Sequence, residues 1–172
     1  MIRKVASALL ALFAILVSLS MAQTPKYSSS TFHQLQALAG DWKGRDDTGN
    51  PVETKFQLAA GNTTVLETLT MPGMEQMLTL YAVDDDGIAL VHYCPTNNQP
   101  HMRAIPSSAA VKELVFLFQS ATNLPDPLIG HEQKLILQFT DADHIVERWT
   151  WRKNGNDTEM VYRFTRSPSR KP

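Results

Sequence analysis

From Trp42 to the C-terminus, apolar side chains recur at every second position, and no stretch sustains the 3.6-residue spacing of a helix. Val52 to Leu58 shows it best, with Val52, Thr54, Phe56 and Leu58 set against Glu53, Lys55 and Gln57. Further runs are expected at 63–71, 74–83, 88–94, 99–105, 114–120, 134–139, 145–153 and 158–166. The punctuation between them is turn chemistry: Asp47-Thr48-Gly49-Asn50-Pro51, Ala60-Gly61-Asn62, Pro72-Gly73, Asp84-Asp85-Asp86-Gly87 and Asn154-Gly155-Asn156-Asp157. Asn, Asp and Gly tolerate the positive φ that tight hairpins require. Only one segment breaks the pattern. Phe32, Leu35 and Leu38 fall on one face at helical spacing, with Ser30 or Thr31 placed to cap the start and Gly40 to stop the end.

About ten strands joined by turns this short must be antiparallel neighbours, which makes the topology a meander. An open sheet of that width would leave two unpaired edges as templates for aggregation, so closure into a barrel is expected. The helix is too short to stand alone and should plug one end. The fold class is therefore all-β: a single closed antiparallel up-and-down barrel with a short N-terminal helix capping it.

Composition adds a destination. Arg3 and Lys4 precede an apolar run from Val5 to Val17, followed by Ser20-Met21-Ala22, whose small residues suit a signal peptidase. Residues 1–22 read as a signal peptide cleaved after Ala22, 23–30 as a loose leader, 31–167 as the barrel domain and 168–172 as a tail. The expected location is secreted or periplasmic, with no stable membrane span after cleavage. Removing 1–22 takes the net charge from −1 to −3. A mildly acidic chain without a basic run in its body gives no footprint for nucleic acid. Cys94 is the one cysteine, so an exported chain has no internal disulfide to staple it.

The stretch Leu38-Ala39-Gly40-Asp41-Trp42-Lys43-Gly44 resembles the calycin superfamily, the barrels that include lipocalins and fatty-acid-binding proteins, whose first strand opens Gly-x-Trp after a short helical turn. The resemblance implies a barrel that carries a small molecule, and a last-strand arginine laid across the first-strand tryptophan. Arg166 and Trp42 are the residues placed for that role, a cation over an indole face. Gly40-Asp41-Trp42-Lys43-Gly44 is also similar to the opening of the haem-binding nitrobindins. That family's C-terminal iron-ligand histidine has no counterpart in this chain, and Asp46 stands where it has a glycine.

Candidate chemistry concentrates on the hairpin His92-Tyr93-Cys94-Pro95-Thr96-Asn97-Asn98-Gln99-Pro100-His101-Met102. A two-residue Asn97-Asn98 turn puts Cys94 opposite His101 with His92 on the same face, a set of donors for Zn²⁺ or Cu²⁺. A four-residue loop instead pairs His92 with His101 and leaves Cys94 opposite Gln99. In a third reading the hairpin lines a cavity mouth, where His92, Tyr93, Asn98, Gln99 and His101 orient a polar group. The loop from Ala121 to Glu132 is then placed to cover that mouth and brings His131.

Two acids fall on apolar faces: Glu147 beside Trp149 and Trp151, and Glu67 between Val65 and Leu69. They either furnish a partly polar, wet interior or sit at the rim in water, the rim being the stronger reading for Glu67. No Gly-x-Ser-x-Gly, His-Glu-x-x-His or phosphate-loop pattern is present, and no residue pattern singles out a cofactor. The expectation is an exported barrel binding a small, partly apolar molecule through His92, Tyr93, Asn98, Gln99, His101, His131, Glu147 and Trp149 without catalysis. The alternative is a metal protein or enzyme built on His92, Cys94 and His101.

Overall fold

The structure is a computed structural model that describes residues 27–168. The expected signal peptide, most of the leader and the end of the tail lie outside the described residues. A helix, α1 (Ser28–Gln36), precedes ten strands: β1 (Gly40–Asp46), β2 (Pro51–Ala59), β3 (Thr64–Thr70), β4 (Met77–Asp84), β5 (Gly87–Tyr93), β6 (Gln99–Ala104), β7 (Glu113–Thr122), β8 (His131–Phe139), β9 (His144–Lys153) and β10 (Asn156–Arg166). Each strand pairs antiparallel with the next, and β1 closes the ring on β10. The expected barrel and its helical plug are both present. Among the described residues no helix is long and apolar enough to cross a membrane.

The helix begins earlier than the sequence suggested, inside the segment read as leader. Tyr27 occupies the N-cap without a side-chain cap bond, so neither Ser30 nor Thr31 caps it. Thr31 is instead buried within the helix, where its hydroxyl donates to Ser108 O. Tertiary anchoring replaces the cap. Ser28 Oγ donates to Asp85 O, Gln34 Nε2 to Val111 O and Gln36 Nε2 to Asn62 O, which tie α1 to the turns at one end of the barrel. Phe32, Leu35 and Leu38 are buried there, each burial contributing about 1.5–3 kcal/mol. Gly40 follows with φ +138°, a conformation that L side chains rarely adopt.

Closure depends on the β1–β10 seam. Trp42 lies opposite Arg166 in the register, and the Arg166 Cζ sits 4.2 Å from the Trp42 ring centroid. The guanidinium also donates to the carbonyls of Ala37, Ala39 and Ala142, gathering the helix end and the β8–β9 turn around the indole. Trp42 Nε1 donates to Leu38 O at 2.8 Å, so the buried N–H is satisfied. At Gly44 an added Cβ would fall 2.1 Å from Arg163 O, which is why the strand there carries glycine.

The half of the barrel next to α1 is packed solid with Phe56, Val65, Tyr81, Ile88, Phe116, Leu137, Ile145 and Phe164. The other end, ringed by the turns after β1, β3, β5, β7 and β9, is where space opens.

Candidate functional site

Between the packed half and the open end lies a belt of buried polar side chains. Glu67 is 1% exposed and Glu147 0%, so neither acid sits at the rim. Glu67 accepts hydrogen bonds from Thr54 Oγ1 at 2.8 Å and from the Tyr81 hydroxyl at 2.7 Å. Glu147 Oε2 accepts from Trp149 Nε1 at 3.0 Å, and the Glu147 carboxyl faces that of Glu67. Burial first, and for Glu147 the neighbouring carboxylate second, pushes both above the usual carboxylate range, Glu147 well above it. Two facing carboxylates cannot both ionise in so dry a place. The donors converging on Glu67 make it the ionised partner. Glu147, the more strongly raised of the two, is therefore the acid that keeps a proton, and its Oε1, which has no hydrogen-bond partner in the protein, is the oxygen free to carry it toward Glu67.

Above this belt a cavity of about 570 Å³ opens at the end away from α1. Its wall is mainly Leu69, Met71, Met74, Met77, Met160, Trp149, Trp151 and Tyr162, with Asp46, Asp47, Thr48, Cys94, Pro95, Thr96 and Thr158 toward the mouth. Two buried polar groups interrupt that wall. His92 is 2% exposed, its Nδ1 is 2.9 Å from Thr79 Oγ1, and its ring leans on Trp149 at 4.6 Å between centroids. Its Nε2 has no partner in the protein. Burial lowers His92 to about 4, so the imidazole is neutral at physiological pH. Glu132 is 6% exposed, its Oε2 is likewise unpartnered, and burial raises its carboxyl to about 8.

Strand parity decides which expected residues reach this cavity. His92 and Trp149 line it; Glu147 lies buried beneath it, in contact with Trp149. Tyr93, next in the strand to His92, is 44% exposed. His101 pairs with Val91, whereas the cross-strand partner of inward Leu90 is Met102. The connection 94–98 has five residues, one more than the loop expected to pair His92 with His101, and a one-residue slip turns a side chain to the opposite face. His101 therefore points outward, to Thr122 Oγ1 at 3.2 Å. His92, Cys94 and His101 do not converge, and among the described residues no group of three or more His, Cys, Asp or Glu side chains is arranged to hold a metal ion. Cys94 is half-buried at the mouth, with Sγ 2.7 Å from Thr96 Oγ1.

The remaining expected residues serve the rim. Asn98 is fully buried and its Nδ2 donates to Gly130 O, pinning the β5–β6 turn to the long loop. Gln99 accepts a long contact from Asn123 Nδ2. His131 is clamped between Ile129 O and Gln133 Oε1 and packs on Phe118, outside the cavity. Its neighbour Glu132 pairs with Trp151 and so shares the inward face. The long loop is shorter than expected, 123–130, because β8 begins at His131. It does not cover the mouth; Asn154 N donates to Leu128 O and holds it to the side, against the β9–β10 turn.

Sequence reasoning missed Glu132 because it fell at the end of the expected loop, and β8 carries a register shift between Glu132 and Lys134 that breaks simple alternation. Nothing in a one-dimensional pattern signals that shift. Neither a protein-family model nor a curated protein matches this chain.

Proposed function

We propose that this protein is an exported, lipocalin-like carrier that holds a small, partly apolar molecule in the open half of its barrel and performs no catalysis. The observation that supports this most is the cavity itself. At about 570 Å³ it falls within the roughly 300–1,000 Å³ of small-molecule sites, with an apolar wall and few polar groups. Those groups are unusual in being buried without partners, and an orphaned buried polar atom carries a desolvation cost of about 1–3 kcal/mol until something bonds it. A guest offering complementary polar atoms to His92 and Glu132 recovers that cost. The belt of Glu67, Glu147, Tyr81 and Thr54 gives the cavity a rigid floor. The expected signal segment and the Gly-x-Trp opening support export and the likeness to calycins. Native mass spectrometry on protein purified without detergent tests the reading. The expected result is a population carrying a bound mass of a few hundred daltons, or a chain that takes up such molecules on addition. A barrel that stays empty against a broad set of apolar and amphipathic compounds would contradict it.

A further inference from the structure

The charge of the cavity narrows its guest. Three carboxyl side chains line it, Asp46 and Asp47 toward the mouth and Glu132 on the wall, and no lysine or arginine does. The one basic ring, His92, is buried and held neutral. The same acids are felt deeper in. Burial first, then the neighbouring carboxyls of Glu132, Glu147, Asp46 and Asp47, push the Tyr162 hydroxyl upward. The site is therefore hostile to anions: a fatty acid or other carboxylate would pass the like charges of Asp46 and Asp47 at the mouth and find no cation on the wall to pair with. Aromatic faces complete the picture, since Trp149, Trp151 and Tyr162 all border the space, and a desolvated cation is attracted to such faces.

We propose that the cavity takes a small protonated amine with an apolar body, its ammonium between Glu132 and His92 and its hydrocarbon part against the methionines and tryptophans. This rests on the reading of the cavity as a ligand site. Glu132 Oε2 and His92 Nε2 are the two unpartnered atoms on its wall, and both accept N–H donors once the guest is present. For His92 this selects the tautomer in which Nδ1–H donates to Thr79 and Nε2 offers its lone pair. In the empty cavity Glu132 keeps its proton; an entering ammonium supplies the opposite charge that no protein group on the cavity wall provides, and the carboxyl gives that proton up to water as the amine binds. Met71, Met74, Met77 and Met160 make the apolar wall adaptable, suiting a flexible or irregular hydrocarbon part rather than one rigid shape.

The test uses three probes built on the same phenylethyl body, on the full mature chain: phenethylamine, 3-phenylpropionate and 2-phenylethanol, titrated calorimetrically at pH 7 and low salt. The amine should bind about tenfold or more tighter than the alcohol, and the carboxylate weaker than the alcohol. Glu132→Gln, nearly isosteric, should bring the amine within about threefold of the alcohol while leaving the alcohol's affinity in place. Equal binding of all three, or preference for the carboxylate, overturns the charge assignment and leaves the cavity a ligand site of another class. Binding of none overturns both readings. The wild-type ranking alone decides the matter if the variant does not fold.

Discussion

Glu132→Gln also isolates one buried carboxyl as a source of pH-dependent stability. In the folded chain burial holds Glu132 at about 8, against an ordinary value of 4.5. The folded state therefore keeps a proton that the unfolded chain releases above pH 4.5. Its stability contribution is intact below that pH, falls as pH climbs toward 8, and is flat beyond it. The full span of 3.5 units corresponds to about 5 kcal/mol, of which about 3 kcal/mol falls between pH 5.5 and 8.5. Glutamine has nearly the same volume and does not titrate, so every other group cancels in the comparison of variant with wild type. Urea unfolding followed by tryptophan fluorescence, repeated across that window, should show the variant gaining about 3 kcal/mol relative to wild type as pH rises. A difference that stays constant within about 1 kcal/mol would refute the burial of an unpartnered carboxyl at this position.

Four other comparisons probe separate parts of the barrel. His92 acts with the opposite sign: burial lowers it to about 4 from 6.5, so stability is lost as pH falls from 6.5 through 4, and His92→Phe should remove about 3 kcal/mol of that acid-side loss in the same unfolding assay. Arg166→Ala strips the seam of its cation over Trp42 and its carbonyl bonds and should cost about 2–4 kcal/mol, measured by chemical denaturation, with lysine restoring only part. Glu147→Gln can still donate to Glu67 and accept from Trp149, whereas Glu67→Gln turns an N–H toward the donors Thr54 or Tyr81. The second should therefore cost about 1–3 kcal/mol more than the first, and equal costs would contradict the placing of the proton on Glu147. Gly130→Ala would set a Cβ 2.1 Å from the Trp151 ring, so Trp151 must move. A shifted tryptophan emission with a loss of about 1–3 kcal/mol is expected.

The architecture was legible because period-two alternation and short turns leave a meander few alternatives, and because a wide meander must manage its edges. The inward placement of Trp149 and Glu147 was readable for the same reason: β9 alternates without a break from Ile145 to Trp149. Parity failed wherever the ladder was irregular. At the 92–101 hairpin a five-residue connection sent His101 outward and dissolved the expected metal set. At the start of β8 the register shift gave the inward position to Glu132 rather than to His131. Glu67 was misplaced for a different reason. Its depth depends on neighbours from β2, β4 and β9, namely Thr54, Tyr81 and Glu147, and no local pattern shows that three distant strands bring polar side chains to one carboxylate.

The methionine methyl groups report most directly on whether guests occupy the open half of the barrel. Met71, Met74, Met77 and Met160 border the cavity, while Met102 is 2% exposed and lies outside it, paired with Leu90 and Phe118. In protein labelled with ¹³C at the methionine methyls, titration with phenethylamine should shift the four cavity signals in a saturable way and leave Met102 in place. Shifts spread equally over all five, or none at saturating probe, would contradict a ligand site in that half of the barrel.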